Sequence, residues 1–261
     1  MNVKVPFYKY HGAGNDFVIV DRSEVPYKLN AKQIKEICER RYGIGADGLM
    51  FYDRHNELDF KMTYFNSDGS ESSFCGNGAR CIVQFGLDYK GLSETIAFDF
   101  NGTPLGAKKK DHHIEINMSN VSRVERLDNN NLFLNTGSPH QIVWVSDVDK
   151  IPVESEGRAL RYAFGSEGCN VNFVERLGEN KFAVRTYERG VEAETHACGT
   201  GITAAAIAAY FDQKTCATEI ELNAVGGTLW VRFEPSNSGF VNVYLTGPAT
   251  HVFTGVIALK S

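Results

Sequence analysis

Thr63-Tyr64-Phe65-Asn66-Ser67-Asp68-Gly69-Ser70-Glu71-Ser72-Ser73-Phe74-Cys75-Gly76-Asn77-Gly78 and Thr186-Tyr187-Glu188-Arg189-Gly190-Val191-Glu192-Ala193-Glu194-Thr195-His196-Ala197-Cys198-Gly199-Thr200-Gly201 are two copies of one pattern. In each, a Cys follows the Tyr by eleven residues, a Glu stands four before the Cys, and Gly-x-Gly comes directly after it. The match extends upstream. Gly12-Ala13-Gly14-Asn15-Asp16-Phe17-Val18 begins 63 residues before Cys75, and Gly137-Ser138-Pro139-His140-Gln141-Ile142-Val143 begins 61 before Cys198. The offsets between the copies, 125 and 123 residues, agree to within two. A period this long belongs to a duplicated domain, not to a solenoid. The pattern predicts two halves, residues 1–119 and 120–250, each supplying one cysteine to a shared cleft.

Hydrophobic periodicity fills in the halves. Leu58, Phe60, Met62 and Tyr64 alternate with polar neighbours, as do Ile114, Ile116 and Met118, and Val241, Val243 and Leu245. Period-2 alternation marks half-buried strands. Further strands are expected at Phe17–Val20, Ile142–Val145, Phe182–Tyr187, Ile220–Leu222 and Leu229–Phe233. Ala31 to Arg41, opened by Asn30 as N-cap, has the pattern of a surface helix. The segments after the two cysteines differ in kind. Gly201 to Phe211 is apolar around its whole circumference, and Ala79 to Leu87 nearly so. A helix without a polar face must be buried. The expected class is α+β: two pseudo-symmetric halves, each a curved, mostly antiparallel sheet around one central buried helix with a cysteine at its start.

Composition excludes several functions. The 261 residues are 43% hydrophobic and 23% charged, enough to bury a full core. A net charge of −5 and a pI near 5.8 argue against a nucleic-acid surface. The basic run Lys108-Lys109-Lys110, between Gly106 and Asp111, has the look of a solvated turn. The start has no apolar leader, and the longest apolar stretch, Ala204 to Phe211, is too short to span a bilayer. These features point to the cytoplasm, where thiols stay reduced. Cys75 and Cys81 are six apart and no C-x-x-C pair exists, so no metal site is expected. Cys38, Cys81, Cys169 and Cys216 are expected to be small buried hydrophobes.

Cys75 and Cys198 are different because the repeat puts both at equivalent helix starts. An ordinary thiol, with a pKa of ~8.5, is a poor base at neutral pH. Unpaired N–H groups and the helix dipole at an N-terminus stabilise its thiolate. The following Gly-x-Gly lets a carboxylate approach those N–H groups. One thiolate could remove an α-proton from one face of a substrate carbon while the opposite thiol protonates the other face, inverting the configuration. The carbanion's charge would spread onto the substrate carboxylate, held by the same N–H donors. This chemistry needs no cofactor, and no cofactor motif is present. Cysteine-hydrolase chemistry would need a His base; His196 lies two residues from Cys198, and the first copy has Ser73 there.

His11-Gly12-Ala13-Gly14-Asn15-Asp16-Phe17, Phe65 to Glu71 with Cys75-Gly76-Asn77-Gly78-Ala79-Arg80-Cys81, and Tyr187-Glu188-Arg189-Gly190 with Ala197 to Gly201 resemble the diaminopimelate epimerase family, in order and over essentially the whole chain. The resemblance implies a pyridoxal-phosphate-independent isomerase that interconverts LL- and meso-diaminopimelate, on the route to lysine and peptidoglycan precursors. It implies two similar halves with the site between them and a last strand, within residues 251–261, returning to the first half. It makes Cys75 and Cys198 the acid/base pair, with His140 and Glu188 supporting catalysis. Asn15, Asn66, Asn170, Glu188 and Arg189 would hold the substrate's distal amino-acid end, and Gly76, Asn77, Gly199 and Thr200 its reacting carboxylate. Three departures stand out: Gly48 and Ser138 replace side chains that some members use, and the stretch from Gly190 to Glu194 is one residue longer than in some.

Three other readings share parts of this pattern. A proline or hydroxyproline racemase would use the same cysteine pair, but its substrate has no second head group for Glu188 and Arg189. Isomerases of the phenazine-pathway type lack the pair. A non-catalytic amino-acid-binding protein would tolerate loss of both thiols. A small-molecule partner is expected, with no nucleic acid and no membrane; a homodimer is left open.

Overall fold

The computed structural model describes residues 2–25, 27–72, 74–127, 130–165 and 167–260; Ser73, the repeat partner of His196, lies outside them. The chain divides into two units, Met1–Ile116 with Ala249–Ser261, and Asn117–Pro248.

The first unit opens with the antiparallel strands β1 (Asn2–Gly12) and β2 (Asn15–Asp21). Helix α1 (Ala31–Cys38) leads to β3 (Gly48–Asp53), which runs parallel to β2. β4 (Phe60–Asn66) turns back against β3, and α2 (Gly76–Tyr89) then crosses to β5 (Thr95–Phe100), parallel to β4. β6 (Thr103–Lys110) and β7 (His113–Asn117) complete a meander. Val18, Val20, Leu49 and Phe51 pack with Ile34 and Ile37 of α1. On the other face of the sheet, Phe17 and Met50 lie against Gly78 of α2. Both faces of β2 and β3 are thus covered, which is why Phe17-Val18-Ile19-Val20 is a continuous apolar run.

The second unit contains β8 (Val124–Arg126), β9 (Leu132–Asn135) and β10 (Pro139–Val145), all antiparallel neighbours. Helix α3 (Val153–Ala163) crosses to β11 (Asn170–Arg176), parallel to β10. β12 (Lys181–Glu188) returns, with the short β13 (Ala193–Thr195) beside it. Helix α4 (Gly199–Phe211) crosses to β14 (Glu219–Ala224), parallel to β12, and β15 (Gly227–Ser236) and β16 (Gly239–Gly247) form the closing meander. Gly199 and Gly201 to Ala209 of α4 are buried. Strands β9 to β12 and β14 to β16 all touch this helix, so the sheet curves around it.

The last strand, β17 (Thr250–Lys260), returns to the first unit and pairs antiparallel with β1. With it in place the two units show the same order of pairing. The sequence β17-β1-β2-β3-β4-β5-β6-β7 matches β8-β9-β10-β11-β12-β14-β15-β16, with parallel pairs at the same two steps. The class is α+β with two repeated halves.

Some expectations need correcting. The surface helix stops at Cys38, not Arg41, because Glu39 is extended and its carboxylate accepts the backbone N–H groups of Arg41, at 2.6 Å, and Tyr42. Its start is as expected, with Asn30 and Gln33 forming a reciprocal capping box. Lys108-Lys109-Lys110 ends strand β6 and is not a turn; the turn is Asp111-His112, and Lys110 is paired with the buried Glu115 at 2.5 Å. Leu58 precedes its strand, which begins at Phe60. Cys216 is exposed and is no core residue.

Candidate active site

The two cysteines occupy the same local structure. Cys75 caps the N-terminus of α2 at φ −118°, ψ 113°, and Cys198 caps α4 at φ −108°, ψ 110°. Each carbonyl accepts the first helical bond at 2.8 Å, from Ala79 and Ile202 respectively. Both sulfurs therefore sit where a helix dipole favours negative charge. The residues after them, Gly76-Asn77 and Gly199-Thr200, are the first turns whose N–H groups lack intrahelical partners. Burial pushes Cys38 up to about 12 and Cys169 up to about 11, and raises Cys81 further, so all three stay protonated.

In the first unit Asn15 is brought to the cysteine. Its Oδ1 accepts from Cys75 Sγ at 3.8 Å and from Asn77 Nδ2 at 3.3 Å. Its Nδ2 donates to the Asp47 carboxylate, which fixes the amide's orientation. Asp47 is held in turn by Arg40 at 2.6 Å. Arg40 and Lys9 also grip Asp16; burial alone would raise Asp16, but their hydrogen bonds and charges outweigh it and hold it near about 2. Arg80, fully buried, donates to Asn77 Oδ1 at 2.9 Å. Burial pulls its guanidinium down to about 10, against the opposing pull of Cys81 and Cys75. Asn66, at the end of β4, donates to Ser70 Oγ at 3.3 Å within its turn. Gly48 has no room for the longer side chain that the resemblance suggested. A Cβ there would lie 2.5 Å from both the Phe65 carbonyl and the Tyr64 ring.

In the second unit the hydrogen bonds gather around His140, which is completely buried. Its Nε2 lies 2.9 Å from Thr200 Oγ1, and Thr200 Oγ1 lies 3.4 Å from Cys198 Sγ. Its Nδ1 lies 3.0 Å from Asn172 Nδ2. Burial, helped by the charge of Arg189 and opposed by the Asn172 bond, brings the imidazole down to about 3, so it is neutral at physiological pH. Asn170 Oδ1 accepts the backbone N–H of Arg189 at 2.9 Å, and its Nδ2 donates to the Pro139 carbonyl at 3.3 Å. Glu188 accepts from Thr195 Oγ1 at 2.9 Å, and the Arg189 guanidinium donates to the Glu167 carbonyl at 3.3 Å. Thr136 Oγ1 donates to the Thr200 carbonyl at 2.9 Å, tying β9's end to the helix start.

Sequence reasoning missed the residues that hold this set in place: Arg40, Asp47 and Arg80 in the first unit, Thr136, Asn172 and Thr186 in the second. For Asn172 there was a signal. Asn170 and Asn172 are two apart on one strand, so their side chains leave the same face, the face that carries His140's neighbours.

A profile of the family described as diaminopimelate epimerase matches residues 7–124 and 132–252. A diaminopimelate epimerase of Flavobacterium psychrophilum is 42% identical over 254 residues, covering 96% of this chain and 99% of that protein. Those of Chlorobaculum tepidum and Aquifex aeolicus are 34% and 35% identical, each covering 95% of this chain, and 99% and 96% of their own lengths. Among solved structures, a phenazine biosynthesis protein of the PhzF family from Bacillus anthracis aligns with a TM-score of 0.75 at 16% identity, over 98% of this chain and 99% of the other. A hydroxyproline epimerase from Agrobacterium vitis aligns at 0.72 and 11%, over 99% and 93%. At such identities the two structures speak for the fold alone. No helix among the described residues is long and apolar enough to cross a membrane. The profile takes in both copies of the repeat with both cysteine-capped helices, and the chain belongs to the diaminopimelate epimerase family of isomerases.

Proposed function

We propose that the chain interconverts LL- and meso-diaminopimelate, with Cys75 and Cys198 as the two proton-transfer groups. The observation that carries this is the identical backbone setting of the two cysteines, each at the N-terminus of its unit's buried helix, in a chain of this family. An α-proton is removed by one thiolate as the other thiol delivers a proton to the opposite face of the carbon, and the two exchange protonation states with each turnover. The substrate carboxylate, which takes up the carbanion's charge, is assigned to the N–H groups of Gly76, Asn77, Gly199 and Thr200. The distal amino-acid head, an ammonium beside a carboxylate, is assigned to Asn15, Asn66, Asn170, Glu188 and Arg189; a carboxylate and a guanidinium in sequence suit that pair of charges. His140 and Glu188 support the second cysteine's side of the reaction. Reduced thiols are a requirement of this chemistry, which agrees with a cytoplasmic location.

Proton NMR of LL-diaminopimelate with the reduced protein in deuterated water tests the proposal. The expected result is loss of the α-proton signal with growth of the meso isomer, while L-proline run in parallel stays unchanged. Replacing Cys75 or Cys198 by Ser is expected to slow epimerisation by about 10²–10⁴-fold, the usual worth of a positioned acid or base. The pH profile should be bell-shaped and belong to the pair. Exchange of proline would transfer the chemistry to another substrate class, and activity in both Ser variants would remove the cysteines from it.

A further inference from the structure

Asn172, on β11, is fully buried and lies outside the residues assigned above to substrate or proton transfer. Its amide orientation is set by one partner that can only accept. The Gln141 carbonyl can only accept, and Asn172 Nδ2 donates to it at 3.2 Å; Thr186 Oγ1 donates to Asn172 Oδ1 at 3.0 Å. The atom facing His140 Nδ1 at 3.0 Å is therefore an N–H donor, which makes Nδ1 the acceptor. A neutral imidazole that accepts at Nδ1 carries its proton on Nε2. The nearest partner of that N–H is Thr200 Oγ1 at 2.9 Å. Asn170 Nδ2 is also 3.4 Å from Nε2, but it is nearer the Pro139 carbonyl, to which it donates. Arg189 is the charged side chain acting on the ring, and it too disfavours a second ring proton.

Thr200 thus receives a hydrogen bond on its oxygen and keeps its own proton for another acceptor, and Cys198 Sγ lies 3.4 Å away. We propose that Asn172 is a positioning residue that fixes His140 as its Nε2–H tautomer, so that Thr200 donates its hydroxyl proton to the Cys198 sulfur and favours the thiolate there. The inference rests on the assignment of Cys198 as a proton-transfer group and deepens it. The packing leaves the chain of contacts no slack. A Cβ on Gly201 would lie 2.3 Å from Asn172 Oδ1 and 3.3 Å from His140 Cε1, so the start of α4 sits directly on the pair.

The other copy of the repeat supplies an internal comparison. The 125-residue offset aligns His140 with Asn15. There, Asn15 Oδ1 accepts from the Cys75 thiol, and an acceptor favours the protonated form. The two copies thus set different partners on their cysteines, an accepting amide oxygen on Cys75 and a hydroxyl on Cys198.

The test has two parts, neither of which needs turnover. In ¹⁵N-labelled protein near neutral pH, the His140 ring should show a protonated Nε2 and an unprotonated Nδ1; the reverse tautomer overturns the proposal, whatever the variants do. In Asn172→Asp the carboxylate can only accept, so it would hold Nδ1–H and turn Nε2 into an acceptor for Thr200. Iodoacetamide labelling of each cysteine, read by peptide mass spectrometry, should then show Cys198 slowed about tenfold at neutral pH, the change that one pKa unit brings. Cys75, in the other unit, should keep its wild-type rate in the same sample, and unfolding of the second unit would expose the buried Cys198 and speed its labelling, the opposite of the expected change. Thr200→Val should slow Cys198 similarly, and the double variant no further, because both break one chain. An unchanged Cys198 rate in Asn172→Asp, or two effects that multiply, overturns the relay. Since labelling and the ring spectrum do not involve diaminopimelate, failure of the substrate assignment would leave both results standing.

Discussion

His140 shows how burial, not sequence position, decides what a titratable residue can do. With its pKa down to about 3, the folded ring is neutral across the physiological range, while the same ring in an unfolded chain protonates near 6.5. Between those values the unfolded chain binds the extra proton. Stability therefore falls as pH drops through that window, by up to about 1.4 kcal/mol per pH unit, and is unaffected by this group above it. Unfolding free energies measured from pH 7 to pH 4 should fall more steeply for the wild type than for His140→Gln. Equal slopes would mean that the ring titrates normally in the folded protein. The role of the ring was foreseeable only through the family resemblance. Its tautomer was not, because that depends on Asn172, which reaches the ring from the neighbouring strand, and on Thr186, which bonds Asn172 from the strand beyond.

The elements carry the core in two different ways. α4 is apolar on every side and packed on every side, and Ile207 is fully buried within it. Truncation of Ile207 to Ala should cost about 2–5 kcal/mol, since strands surround the cavity and cannot collapse far into it; denaturant unfolding would measure it, and a cost below ~1 kcal/mol would mean that the sheet closes in. The same all-round apolarity made α4 legible in the sequence, as the Gly-x-Gly after each cysteine did for the helix starts. Other elements hid. β1 carries Pro6 in mid-strand and turns the charged Lys9 inward to Asp16, so its alternation is broken at two places. α3 has Gly157 in its middle, which weakens a helix pattern. The glycine is there because a Cβ would fall 2.4 Å from Cβ of Tyr187, where helix and β12 meet. Both misses have one cause: a residue chosen for a tertiary contact overrides the local signal.

At the scale of the molecule, the repeat was legible because its cysteine, glycine and glutamate positions survive at constant spacing, whereas the two outermost strands that complete each unit share no such marks. β17 stands in the first unit where β8 stands in the second, yet they lie at opposite ends of the pairing scheme in chain order. On the ribosome this reverses the natural sequence of events. The second unit has every strand it needs once Pro248 has emerged, while the first, although made earlier, still has one edge of β1 unpaired and Val5 and Phe7 without Leu259. Chains normally complete their domains from the N-terminus; here the later unit should finish first. A chain ending at Pro248 should yield a protease-resistant core that begins near Asn117, with cleavage concentrated before it. Equal resistance on both sides would show that β1 does not wait for its partner. The duplication thus gave the protein two equal halves but an unequal birth, in which the first cysteine's scaffold is closed by the last strand to be made.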